Sequence, residues 1–163
     1  MPSFAFSSPA ILCQPALLQM PLHGKTYIVT GGNSGIGWET VVQLARQGAH
    51  VVLACRNVPA GQALVAALGE QNVQERIQVA ALDLARLASV RAFASGFLSQ
   101  HKVLDGLVNN AGVANVPMGR TEDGFEVHFG TNHLGHFLLT ELVMPALLAG
   151  GQGRVINVSS CYH

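Results

Sequence analysis

Thr26-Tyr27-Ile28-Val29-Thr30-Gly31-Gly32-Asn33-Ser34-Gly35-Ile36-Gly37 runs from a β-branched apolar stretch into four glycines within eight residues. A helix-like run, Trp38 to Gln47, follows directly. Glycine loses the most backbone entropy on folding, so such a concentration at one strand-to-helix joint needs a reason. The reason read here is an anion. Glycines permit positive φ and close backbone approach, and the following helix points its free N–H groups and positive dipole end at the turn. Gly31 is expected to make the tight turn, Gly35 to let a pyrophosphate approach, and Gly37 to let the helix sit close on the sheet. The alternative is a tight turn without a ligand. Strand, turn and helix in the required order speak for the ligand.

Outward from this joint, strand-like and helix-like patterns alternate to the end of the chain. Strands are predicted at 26–30, 50–55, 76–82, 104–109 and 154–159. Helices are predicted at 36–47, 59–68 and 87–100. A long helical region, bent near its middle, is predicted from Thr121 to about Ala149. Alternation at this spacing gives an α/β fold: a doubly wound parallel sheet of Rossmann type with helices on both faces. Right-handed crossovers favour the strand order 3-2-1-4-5. The domain is read as residues 22–163, after an extension, 1–21, expected to be poorly ordered. The extension carries no Lys or Arg, so it lacks the basic region of a secretory signal and the arginines of a transit peptide. Prolines 9, 15 and 21 interrupt the apolar stretch well short of a membrane span. A targeting or membrane-apposing segment is the alternative.

Bulk properties narrow the function classes. The 163 residues fit one domain, 49% of them are apolar and only 11% are charged, which suits strands buried on both faces. The formal net charge is zero, so nothing electrostatic recommends nucleic acid as a partner. Cys13, Cys55 and Cys161 are odd in number and widely spaced, without the pairing of a disulfide framework or a zinc knuckle. A reduced compartment is expected: the cytoplasm, or the cytosolic face of an organelle membrane. Gly24-Lys25-Thr26 is not a phosphate loop, because Gln19 stands where that motif needs glycine.

The joint reads GxxxGxG, and this spacing resembles the short-chain dehydrogenase/reductase family. Asn109-Asn110-Ala111-Gly112 after the fourth strand, Thr131-Asn132-His133-Leu134-Gly135-His136-Phe137 and Arg154-Val155-Ile156-Asn157-Val158-Ser159-Ser160 resemble further motifs of that family, in its order. The resemblance is to its retinol dehydrogenase and WW-domain oxidoreductase branch, and covers Leu22 to the end. It implies hydride transfer between a nicotinamide cofactor and an alcohol, aldehyde or ketone. The implied cofactor-binding set is Gly31, Asn33, Ser34, Gly35, Ile36, Gly37, Arg56, Asp83, Leu84, Asn109, Ala111 and Gly112. Asp83 would meet the adenine amino group, its alternative being a carboxylate at a helix entry. Asn109 would steady the sheet beside the cofactor.

NAD enzymes place an acid about 20 residues past the glycines, at the end of the second strand. Here that place reads Ala54-Cys55-Arg56-Asn57, with no Asp or Glu between Glu39 and Glu70. Arg56 suits the 2′-phosphate of NADP(H), which is therefore favoured over NAD(H); a solvated surface arginine is the alternative.

For the catalytic set, the resemblance implies Ser160 as the group that hydrogen-bonds the carbonyl, ahead of its neighbour Ser159, and Asn132 as the group that orders a water. The family's Tyr and Lys form a YxxxK pair, and no YxxxK occurs in the 163 residues. Tyr162 lies too close to Ser160 to match. The expectation is a truncated form without turnover, its later strands missing; a non-catalytic nucleotide-binding or dimer-competing product is the second reading. The resemblance also implies that the helix around Asn132–Ala149 packs at a dimer interface. A sugar-nucleotide epimerase or methyltransferase fits the motifs less well. His128, His133 and His136 share one helical region, but the family motif accounts for two of them without metal, and no metal is expected.

Overall fold

The computed structural model describes residues 14–160. Five parallel strands form one sheet: β1 (Thr26–Thr30), β2 (His50–Cys55), β3 (Ile77–Ala81), β4 (Gly106–Asn109) and β5 (Arg154–Asn157). Their order is β3-β2-β1-β4-β5, the doubly wound order expected. Ile28 pairs with Val52 on one side and Leu107 on the other.

The helices are α1 (Gly35–Arg46), α2 (Val58–Ala66), α3 (Gln71–Gln74), α4 (Leu87–Gln100) and α5 (Gly135–Ala149). Successive strand residues feed opposite cores. Ile28, Val52 and Leu107 pack with Val90, Phe93 and Phe97 of α4 and Leu139 and Val143 of α5. Val29, Val51 and Leu53 pack with Val41 and Ala45 of α1. Both faces of the central strands are dry where they are buried, which is why Ile28-Val29 and Val51–Cys55 run apolar without alternating.

Local chemistry sets the helix ends. Gly48, at φ +98°, stops α1, its N–H bonding the Ala45 carbonyl at 3.0 Å. Asn57 caps α2, its Oδ1 accepting from the Ala60 amide at 3.0 Å. The cap of α4 is remote: Asp123 Oδ2 accepts from the Leu87 amide at 2.8 Å.

Two features differ from the sequence reading. The short α3 was not anticipated; four residues are too few to display a period. The long helical region does not start at Thr121. Residues 121–126 form a turn closed by the Thr121 amide and Phe125 carbonyl at 2.8 Å, with Gly124 at φ +86°. Helix begins at Val127 and runs through a π-helical segment, Phe129–Leu134, into α5. Glu126 caps its start: its carboxylate accepts from the amides of His128 (2.9 Å) and Phe129 (2.7 Å). The π-helical segment lies near the middle of the predicted region, where the sequence reading expects a bend.

The extension falls mainly outside the described residues. Its described end, Pro15–Gln19, is a 3-10 turn lying against α1, with Gln47 Nε2 donating to the Leu17 carbonyl at 2.8 Å. Among the described residues, no helix is long and apolar enough to cross a membrane.

Candidate nucleotide-binding site

In an open parallel sheet, ligands bind at the C-terminal strand ends where the connections switch faces. Here that point lies between β1 and β4. A cleft of about 480 Å³ opens there. The glycine turn forms its floor. Gly31, Asn33, Ser34, Gly35, Ile36 and Gly37 all line it, joined by Arg56 from the end of β2, Leu84 from beyond β3, and Ala111 and Gly112 from beyond β4.

The glycines divide the work. Gly31 has φ +63°, and a Cβ there would stand 2.9 Å from the Ala111 Cα; turn geometry and close approach both require it. Gly35 has φ +49°, yet a Cβ there would meet nothing within 4 Å. Its open side faces the cleft. Gly37 closes on the side chain of Asn110 and the carbonyl of Gly31, so it brings α1 against the turn and the β4 loop more than against the sheet. The Ser34 side chain does not cap α1, which leaves the first-turn amides to a ligand.

The other sequence-derived candidates sit differently. Asp83 is not on the cleft wall; its Oδ1 accepts from the Ala85 amide at 3.0 Å, while its neighbours Leu82 and Leu84 reach the cleft. Asn109 is buried beneath the site and ties β4 to α5 and β5, its Nδ2 donating to Thr140 Oγ1 (3.2 Å) and Asn157 Oδ1 (2.9 Å). Asn132 is clamped on the β4 loop: its Oδ1 accepts from the Val113 amide (2.8 Å) and its Nδ2 donates to the Val113 carbonyl (2.9 Å). Ser160 is exposed, beyond the end of β5. Tyr162 and Cys161 lie outside the described residues.

Thr30, Asn110, Cys55 and Thr131 are among the wall residues that the sequence reading does not name as candidates. Thr30 is fully buried, and its Oγ1 accepts from the Asn110 amide (2.9 Å) and the Ala111 amide (3.0 Å). Asn110 returns its Nδ2 to the Thr30 carbonyl at 2.9 Å. Cys55 is buried, and burial pushes its thiol pKa up. Thr131 is buried on the wall with its Oγ1 unpaired among the described residues. Position within the recurring motifs would have flagged Thr30, Asn110 and Thr131; Cys55 carries no such signal.

Of the three histidines weighed as metal ligands, His136 is buried beneath the cleft. His133 stacks on Phe129 with ring centroids 5.1 Å apart. His128 Nδ1 lies 2.8 Å from Glu126 Oε1. Each has a partner of another kind.

Residues 25–162 match the short chain dehydrogenase family. The chain belongs to that family. It is 47% identical to human retinol dehydrogenase 11 over 146 residues, 90% of this chain and 45% of that one. With human retinol dehydrogenase 13 it is 46% identical over 140 residues, 86% and 42% of the two chains. Among solved structures, a metagenomic short-chain oxidoreductase in complex with NADP aligns with a TM-score of 0.70 at 36% identity, covering 85% of this chain and 62% of that one. The chain thus spans less than half the length of the retinol dehydrogenases it matches.

An oxidoreductase family with nicotinamide cofactors implies such a group here, and the cleft suits one. The exposed backbone at Gly35 and the uncapped α1 terminus fit a pyrophosphate, and the orphaned Thr131 hydroxyl offers a polar partner on the wall.

Proposed function

We propose that this chain is the nucleotide-binding portion of an NADP(H)-dependent oxidoreductase of retinol-dehydrogenase type, acting on alcohols, aldehydes or ketones. The observation that carries the cofactor preference is Arg56. It stands on the cleft wall at the end of β2, exposed, with no hydrogen bond or ion pair among the described residues and no acid beside it in sequence. A guanidinium so placed can fork onto a 2′-phosphate. The solved relative bound to NADP agrees with this reading. On this reading of the present chain, Gly31, Gly35 and the α1 terminus hold the pyrophosphate, Leu84 borders the adenine with Asp83 behind it off the cleft wall, and Gly112 lets the nucleotide pass along the β4 loop. NADP(H), when bound, supplies or accepts the hydride. Asn132 holds the β4 loop, and Ser160 is assigned to the substrate carbonyl.

Calorimetric titration of NADPH and NADH decides the preference. A charge-assisted fork is worth about 1.5–3 kcal/mol, so NADPH should bind roughly tenfold to a hundredfold more tightly. Arg56→Ala should erase that difference by weakening NADPH alone. Equal affinities in the wild type remove Arg56 from this role.

A second reading rests on the absence of YxxxK from the 163 residues. For these residues by themselves we infer binding without turnover, or competition for a dimer partner. NADPH oxidation with a panel of aldehydes and ketones should not exceed that of a Ser160→Ala control. Activity above the control requires another proton donor. The domain limits, 22–163 after the 1–21 extension, and a cytoplasmic or cytosol-facing location belong to the same proposal.

A further inference from the structure

His136 closes a ring of hydrogen bonds beneath the cleft. Its Nδ1 lies 2.8 Å from the Asn132 carbonyl and its Nε2 lies 2.8 Å from Thr30 Oγ1. A carbonyl only accepts, so Nδ1 carries the proton. The lone pair on Nε2 must then be met by the Thr30 hydroxyl proton. That proton has a second acceptor, the Val108 carbonyl, at the longer distance of 3.4 Å. Both Oγ1 lone pairs are taken by the amides of Asn110 and Ala111. An Nε2–H donor, from the other tautomer or the cation, would find Thr30 already full. Burial reinforces this by holding the His136 pKa below the usual histidine value.

The ring continues through the chain. Asn132 clasps the backbone of Val113 with both ends of its amide, and Val113 lies two residues past Ala111, which returns to Thr30. Three separate segments, the end of β1, the β4 loop and the π-helical segment, are thereby joined at one imidazole.

We propose that His136, as the neutral Nδ1–H tautomer, is a positioning residue that pins the β4 loop against the glycine turn and keeps the cleft formed before nucleotide enters. The cofactor part rests on the nucleotide-binding reading above. Without His136 the Thr30 hydroxyl would turn to Val108, and the amides of Asn110 and Ala111 would lose a well-aimed acceptor. Pre-organisation of this kind acts on affinity by sparing the ordering cost at binding.

The test uses the intact protein. Nitrogen-15 histidine spectra should show His136 protonated at Nδ1 and bare at Nε2; an Nε2–H or doubly protonated ring at neutral pH overturns the proposal. In His136→Leu, hydrogen exchange at the Asn110 and Ala111 amides should accelerate about tenfold to a hundredfold. Exchange at Leu139 and Val143 in the same helix should stay put, and NADPH affinity should fall by a similar factor. His136→Gln, long enough to reach Thr30, should recover much of the loss. His136→Asn, which reaches only the Asn132 carbonyl, should not. Uniform acceleration along the helix, or unchanged exchange at Asn110 and Ala111, means that His136 merely fills space. Should His136→Leu fail to fold, the wild-type spectra and His136→Gln decide alone. If the wild type binds no NADPH, the nucleotide reading fails, while the tautomer and exchange results still judge the positioning.

Discussion

Gly31 and Gly35 look alike in sequence and differ in what constrains them. Alanine at Gly31 meets both a left-handed backbone, costing about 1–2 kcal/mol, and an overlap with Ala111, adding about 1–3 kcal/mol. Gly31→Ala should therefore lower the melting temperature sharply. Alanine at Gly35 meets only the backbone penalty, about 1 kcal/mol, but places a methyl at the cleft. Its melting temperature should fall slightly while NADPH affinity falls severely. Paired thermal melts and titrations check this; a large stability loss at Gly35 with intact binding would contradict the assignment of its open side to the ligand. Glu126 makes a pH-dependent prediction. Two backbone amides, with His128, hold its carboxyl at about 2, against an ordinary value of 4.5. A depressed carboxyl stabilises the fold above the ordinary value, and the contribution fades as pH falls through about 2. Acid titration by circular dichroism should show wild type and Glu126→Gln separated at neutral pH and converging near pH 2.

At the scale of elements, the start of α4 depends on a group distant in sequence, whereas α2 and the helix at Val127 are capped locally. α4 has no side-chain cap of its own, and Asp123, thirty-six residues on, supplies the acceptor for the Leu87 amide. Asp123→Ala should cost about 0.5–2 kcal/mol in chemical denaturation, as for a lost cap, and Asp123→Asn should keep most of it. This contact also fastens the 121–126 turn to α4, alongside the Arg86–Glu122 ion pair. It explains why a stretch with helical spacing ends as a turn: Asp123 is spent on α4, Gly124 takes positive φ, and Glu126 is left to start the next helix.

The whole molecule is unevenly covered. β1 and β2 are sealed on both faces, whereas every residue of β5 is exposed, with Val155 at 38% and Ile156 at 42%. Phe137 and Leu148 of α5 are exposed at 59% and 71%. An open apolar strand is a template for pairing with another chain. Expressed as these 163 residues, the protein should self-associate, and size exclusion with light scattering at tens of micromolar should show species larger than a monomer. Val155→Lys should shift them toward monomer; a monomeric wild type would mean that this surface is covered in solution.

The sequence alone determined the strand order, the place of the cleft and most of its wall. Those features follow from short-range patterns: β-branched runs, helical periodicity, and glycines at a joint whose backbone geometry admits little else. The motifs Gly31–Gly37, Asn109–Gly112 and Thr131–Phe137 carry the family resemblance in sequence alone, and the family match over residues 25–162 agrees with it. Tertiary structure alone decided what depends on residues far apart in the chain. It turned Asp83 toward Ala85, put Asn132 on Val113 and drew Asp123 to α4. It also converted His136, legible in sequence only as one of three nearby histidines, into a partner of Thr30 across 106 residues. A hydrogen bond between distant segments leaves no periodic trace, because its donor and acceptor meet only after the sheet has formed.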